Sequence, residues 1–425
     1  MVCRMLPNTR KSESILRDPK SGLQMLSVAG RTVLVLFIVA WISWFAPFDD
    51  LLDRSGTPLG GDYIMLYVAG ETLNAGDGAL LYDDAANQQR SSAQFPTMNP
   101  NESWPYRYPP VTAWLMQPLS HLDFAWSFGV FFLLACGCLL FTTKLLLREF
   151  VSDGAPSKRL VFWSLLGWPI VGEALIGGQS SPIALCLVVA AAIALKHHRD
   201  VLAGALIGLC IYKPNIVGVL VIGTLIARPR AFWGMLAVAV PAMLLSIYAT
   251  GIEGAQRYVE LASSLASSEW KLETPFWKVH GLAPMLDALA PGRGKLLAFA
   301  MGVPIACGLG LQMRHATQER YWLIFATLMM ANALFNPYVP IYDMLLLLPA
   351  VIGTVAWLLK KDGARAMPTV VAIVVTTFIG PHLSQAIAPT LGWQPFPLAL
   401  TAIFILQLRE LRSFQTDQVS EPAPA

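Results

Sequence analysis

The feature that most constrains this chain is a succession of long apolar runs. A helix needs about 20 mostly apolar residues to cross the hydrocarbon core of a bilayer. Ten segments meet that length to within a few residues: 31–48, 124–143, 160–176, 180–195, 231–249, 295–313, 321–338, 341–359, 367–384 and 393–408. Two other apolar stretches fit no simple crossing. "YPPVTAWLMQPLSHL" (108–122) is short and carries Pro109, Pro110 and Pro118, and 201–227 is too long for one span and is interrupted by "YKPN" at 212–215. Only 13% of the 425 residues are charged, against about 25% in soluble domains. The fold class is therefore an all-α polytopic membrane protein, with about 10–12 transmembrane helices.

Charge sets the expected orientation, because cytoplasmic loops collect Lys and Arg. With the N-terminus inside, alternate loops hold 21 of the 30 Lys and Arg residues, and both termini are cytoplasmic. That arrangement treats 201–227 as a broken hairpin and 108–122 as re-entrant or interfacial. It leaves two large outer loops, 49–107 and 250–294; the first has nine acidic residues against Arg54, Arg90 and Arg107. In the second, Trp270, Phe276 and Trp277 suit a membrane interface. The apolar stretch after the basic N-terminus lacks a small-residue cleavage site and reads as a retained first helix. The tail 416–425 reads as disordered.

Several partner classes are excluded at this stage. Basic and aromatic residues do not combine into a nucleic-acid groove. Five of the six cysteines lie within apolar runs, and their spacing matches neither a zinc site nor a disulfide framework. No metal or cofactor is implied.

Some polar residues stand out against so apolar a background. Asp62 follows Gly60 and Gly61, and apolar residues at 64, 65, 67, 68 and 73 recur at helical spacing until Gly76. This pattern resembles a helix lying in the interface, where Asp62 serves either as a site carboxylate or as a plain N-cap. Lys213 is set deep in an apolar stretch, where a charge costs about 2.5–3.5 kcal/mol and usually faces a polar cavity; snorkelling to the surface is the alternative reading. Gln179 in "GGQSSP" and Asn336 in "NPY" fall at helix ends, where turn residues are common. Arg107 and Asp343 lie at outer membrane borders, the one suited to a phosphate or to lipid headgroups, the other to a site or to a helix cap. His280 belongs to the aromatic outer loop.

Four stretches in order carry a resemblance: "GGDYIMLYVAGETLNAGDGALLYD", "YRYPPVTAWLMQPLSHL", "GGQSSPIALCLVVAAAIALKHHRDVLAGALIGLCIYKPNIVGVL" and "NPYVPIYDMLLLLPA". Together they resemble glycosyltransferase family 87, the bacterial branch of the GT-C membrane glycosyltransferases. The resemblance implies a GT-C-like bundle over 32–410, between a cytoplasmic segment 1–31 and a cytoplasmic tail 411–425, with amphipathic helices in the outer loops. It implies a polyprenyl-phosphate hexose donor such as the mannose form, an envelope lipid or glycan acceptor, and a site on the outer face of the bacterial plasma membrane. The sugar-bearing lipid is a substrate, so no cofactor is expected.

Matched residue by residue, the family's loop carboxylate falls on Asp62, with Tyr63 beside it. Arg107 and Lys213 are the cations expected at the donor phosphate, and Gln179, Asn336, Tyr342, Asp343 and His280 complete the candidates. Many relatives carry His-Tyr near the fourth motif where this chain reads Tyr342-Asp343. A secondary transporter or flippase-like protein is the rival class, since broken helices and a buried lysine suit one.

Overall fold

A computed structural model describes residues 19–45, 49–99, 103–150, 166–267 and 275–420. Among these residues there are no strands, only two isolated bridges, and the architecture is all-α as expected. The chain begins with α1 (Pro19–Phe45) and continues into three short helices, α2 (Tyr63–Asn74), α3 (Asp84–Gln94) and α4 (Pro110–Met116). The bundle follows with α5 (Phe124–Phe150), α6 (Pro169–Ile176), α7 (Ser181–Lys196), α8 (Asp200–Gly208), α9 (Gly218–Ala227) and α10 (Ala231–Ser267). It is completed by α11 (Ala283–Leu289), α12 (Gly294–Arg314), α13 (Gln318–Phe335), α14 (Leu348–Asp362), α15 (Met367–Leu391) and α16 (Phe396–Ser420).

Four stretches among the described residues are long and apolar enough to cross a membrane: Phe124–Phe150, Ala231–Leu265, Gly294–Arg314 and Ile341–Leu391. They contain five of the ten expected segments, because the last one bends at Gly363 (φ +55°) between α14 and α15. The other expected segments are helical where described, but shorter or more polar. The 16 residues of α7 span only about 24 Å, less than the roughly 30 Å of a hydrocarbon core. Most of α7 is buried in protein rather than facing lipid, so its length is not held to that thickness. At the centre, α13 is buried on every side from Tyr321 to Phe335, as a helix apolar all round must be. It packs on α12, α14 and α16.

The segment 201–227 is broken as its sequence predicts. Helices α8 and α9 are separated by two 3-10 turns, Leu209–Tyr212 and Pro214–Ile216, with Lys213 extended between them at φ −147°. Backbone groups freed at such a break need partners, since lipid supplies none. Thr112 Oγ1 donates to Tyr212 O at 2.9 Å and Asn332 Nδ2 to Ile216 O at 2.8 Å. The side-chain oxygens of Asn332 and Asn336, one helical turn apart, accept from Leu220 N (3.1 Å) and Val219 N (3.4 Å) and so cap α9. Residues 108–122 do not span: α4 has seven residues and is followed by the single turn Leu119–His121.

The loop 49–107 differs most from expectation. Rather than resting its apolar face on a bilayer, α2 is buried in protein: Tyr63, Ile64, Leu66, Tyr67, Val68, Ala69 and Leu73 are all in the core. The cause is a second, smaller core in which Tyr63, Tyr67 and Phe95 meet Phe124, Phe128 and Phe131 of α5. This cap also grips α10. Beyond Gly251 (φ +69°) that helix continues to Ser267, where Arg257 Nη1 donates to Ala79 O at 3.2 Å and the Tyr258 ring faces Tyr82. Gly76 (φ +79°) closes α2 as expected. Residues 416–420, read as part of a disordered tail, instead extend α16. Residues 1–18, with Cys3, the start of segment 160–176, Trp270 and residues 421–425 lie outside the described residues.

Candidate active site

Two loops at one end of the bundle meet through glycine. Gly60 and Gly61 adopt φ +83° and +49°, and Gly178 adopts φ +57°, conformations that side chains with a Cβ rarely enter. A Cβ at Gly178 would lie 2.3 Å from Gly60 O and 2.6 Å from Tyr63 Cβ. The two backbones therefore touch, and the contact sets Gln179 against Asp62. Gln179 Nε2 donates to Asp62 Oδ2 at 2.6 Å, with Gly177 O a second acceptor at 3.2 Å.

Asp62 precedes α2 at the N-cap position but makes no side-chain cap hydrogen bond, and its backbone is already helical (φ −62°, ψ −10°). The plain capping role is therefore not what holds it. Burial pushes its carboxyl above the usual carboxylate range, opposed by the Gln179 hydrogen bond and the charges of Lys213 and Lys278, while Asp343 adds to the rise. A carboxylate at raised pKa is a stronger base, and Asp62 retains partial exposure through which a hydroxyl can reach it.

Behind it lies a sealed ion pair. Lys213 Nζ is 2.7 Å from Asp343 Oδ1, with side chains 5% and 1% exposed. The unwound turn between α8 and α9 presents the lysine, and the 3-10 segment Ile341–Leu347 presents the aspartate. Ser181 Oγ donates to the same Oδ1 at 2.5 Å, and the Tyr342 ring lies 4.6 Å from Nζ as a cation–π partner. Lys213 thus does not snorkel. Polar capacity is left over around the pair: Gln179 Oε1, Ser180 Oγ, Asn336 Nδ2 and Asp343 Oδ2 are buried without a hydrogen-bond partner. Buried polar atoms are nearly always satisfied in folded proteins, and these four leave hydrogen-bonding capacity open beside the pair.

The structure thus gathers Asp62, Gln179, Lys213, Tyr342 and Asp343, while Asn336 stands at the base as a cap of α9. Three other candidates are committed elsewhere. Tyr63 is buried among Phe124, Phe128 and Phe131, and its hydroxyl shares a 2.6 Å hydrogen bond with Ser127. Arg107 forks onto Asp84 through two 2.9 Å contacts. His280 is fully buried between the carbonyls of Lys278 and Pro381, and burial lowers its pKa to about 4, so it is a neutral clamp between loop and bundle.

The sequence reading missed Ser181, Tyr108, Tyr338 and Lys278. The hydroxyls of Tyr108 and Tyr338 feel the charges of both Asp62 and Asp343. Tyr108 directly follows Arg107, and Ser181 and Tyr338 lie two residues after Gln179 and Asn336; Lys278 had only its place in the aromatic outer loop to suggest it.

No curated protein and no solved structure matches the chain. The profile of glycosyltransferase family 87 matches residues 106–349. That interval is more than half of the chain and holds all the gathered residues except Asp62. A match over that much of the chain makes the assignment: the chain belongs to glycosyltransferase family 87, a family of membrane glycosyltransferases.

Proposed function

We propose that this glycosyltransferase moves a hexose, such as mannose, from a polyprenyl-phosphate donor to a hydroxyl of an envelope lipid or glycan. The reaction takes place at the outer face of the bacterial plasma membrane, within a GT-C-like bundle, and inverts the anomeric centre. The observation that carries this reading is Asp62: a partly exposed carboxylate of raised basicity, held by Gln179 beside the Lys213–Asp343 pair.

The chemistry follows from that arrangement. An acceptor hydroxyl becomes a competent nucleophile when a positioned carboxylate takes its proton in the transition state. Asp62 Oδ1, the oxygen not engaged by Gln179, is suited to receive it. The new bond forms between the acceptor oxygen and the anomeric carbon as the bond from that carbon to the phosphate oxygen breaks. Polyprenyl phosphate leaves with the bonding pair. Its leaving oxygen is already acidic, so the site needs cationic stabilisation there rather than a general acid. The unpaired atoms of Gln179, Asn336 and Asp343 offer acceptors and a donor to sugar hydroxyls.

The test is transfer by the purified protein in detergent. Labelled hexose should pass from a polyprenyl-phosphate donor to an envelope lipid extract, with release of polyprenyl phosphate. Transfer from nucleotide sugars, and none from any polyprenyl-phosphate donor in a panel, would refute the donor class.

A further inference from the structure

Of the two expected phosphate cations, Arg107 forks onto Asp84, and Lys213 is already spoken for. Its ammonium is neutralised at 2.7 Å by Asp343 and is almost wholly sealed from solvent. A donor phosphate arriving at Asp62 would have to compete with a buried carboxylate for that charge, and separating a buried pair is costly. A second lysine is free of that difficulty. Lys278 is exposed, its charge acts on Asp62, and among the described residues no carboxylate pairs with it.

The backbone of Lys278 is fixed from several sides. It ends the 3-10 turn Phe276–Lys278, and its N–H donates to Pro275 O at 3.0 Å. Its carbonyl contacts His280 Nδ1 at 3.2 Å, and Trp277 O accepts from Gln394 Nε2 at 2.7 Å. Val279 bridges Pro340, and His280 N donates to Val339 O at 2.9 Å. Those partners lie three and four residues before Asp343. A flexible ammonium thus rises from a rigid base that belongs to the wall of the site. Its neighbours Phe276 and Trp277 form an edge-on aromatic pair, the residue type that settles at the headgroup level of a bilayer. A lipid-linked phosphate presents its charge at that level.

We propose that Lys278 is the cation that binds the phosphate of the lipid-linked donor, and that the Lys213–Asp343 pair is a positioning element behind it. This inference rests on the phosphate-donor reading above. It assigns the ionic contact to the rim of the site, where the headgroup enters, rather than to its buried floor.

The experiment measures binding of farnesyl phosphate, a short polyprenyl monophosphate, to the full-length protein in detergent, with farnesol as the uncharged control. Wild type should bind the phosphate more tightly than the alcohol. Lys278→Met should lose about tenfold or more of that affinity, as expected for a charge-assisted contact. Lys278→Arg should recover most of it, and the thermal midpoint of both variants should stay at the wild-type value. Equal binding of farnesyl phosphate and farnesol by wild type refutes the phosphate-donor reading itself. Preference for the phosphate in wild type, unchanged in Lys278→Met, refutes the assignment of Lys278 alone. Added phosphatidylglycerol should leave farnesyl phosphate binding unchanged; competition at equal mole fraction would assign the lysine to bilayer headgroups and overturn the proposal.

Discussion

Lys213 and Asp343, 130 residues apart in the chain, form a 2.7 Å ion pair that is almost wholly shielded from water. Removing one member of such a pair strands the other charge, which typically costs about 3–5 kcal/mol, whereas replacing both can be neutral. Lys213→Met should therefore unfold at a clearly lower temperature in detergent, and Lys213→Met/Asp343→Leu should regain most of the loss. A single variant as stable as wild type would mean that Asp343 does not depend on the lysine for its charge.

Asp62→Asn keeps the size of the side chain and removes its basicity. General-base catalysis is worth about 10²–10⁴-fold in rate, and turnover should fall by that amount. Stability should move the other way. Burial raises the folded-state pKa of Asp62, so the stability linked to its protonated form is fully present at low pH and is lost as pH rises through the raised value. The Asn variant escapes that loss and should be at least as stable as wild type at neutral pH. Full turnover in Asp62→Asn would remove the residue from the mechanism.

Gln179 tests the same carboxylate through its environment. Its hydrogen bond to Asp62 Oδ2 favours the ionised form and lowers the pKa against the effect of burial. Without it the carboxyl rises further. The acid limb of the kcat/KM profile should move to higher pH in Gln179→Leu, with activity recovering towards the alkaline side. An unshifted limb with a uniformly lower rate would show that Gln179 orients substrate instead of tuning the base.

Gly178 is a backbone test. An Ala there combines an unfavourable φ of +57° with a Cβ 2.3 Å from Gly60 O. Gly178→Ala should destabilise the protein by more than about 1 kcal/mol and should lower activity, because the loop carrying Gln179 must back away from Asp62. Unchanged kinetics would show that the two loops can separate without consequence.

Orientation is tested by single cysteines in a background lacking the native ones. Gln89 lies exposed on α3 and Ala364 in the exposed turn between α14 and α15. A membrane-impermeant thiol reagent should modify Gln89→Cys in intact cells and Ala364→Cys only after lysis. The reverse pattern would invert the proposed topology.

The bundle was legible in the sequence because hydrocarbon imposes so strict a pattern on it. Five of the ten expected spans, the Pro214 break and the Gly76 stop appear where the residues require them. The helix after Asp62 was misread for an identifiable reason. Apolar residues at 64, 65, 67, 68 and 73 look the same whether they face lipid or an aromatic cluster contributed by α5, about 60 residues later. Candidate residues with unusual local chemistry, such as a lysine in an apolar run, stood out in the sequence. Their pairings could not. Nothing near Lys213 announces Asp343, and nothing near Arg107 announces that Asp84 engages it. The half-helices that suggested a transporter are braced from outside, by Asn332, Asn336 and Thr112.

The long sequence separation of the ion pair has a consequence for biogenesis. Lys213 leaves the ribosome 130 residues before the aspartate that neutralises it, and Asn332 and Asn336, which cap the half-helix after it, are also made late. Until then the pair of half-helices carries an uncompensated charge and open backbone groups that lipid rejects. A hydrated or chaperoned setting would spare the hairpin that cost until α13 and the turn that follows it arrive. Insertion of the half-helices is therefore expected to depend on the C-terminal half, and a truncation before Asp343 should insert this segment less efficiently than the full chain.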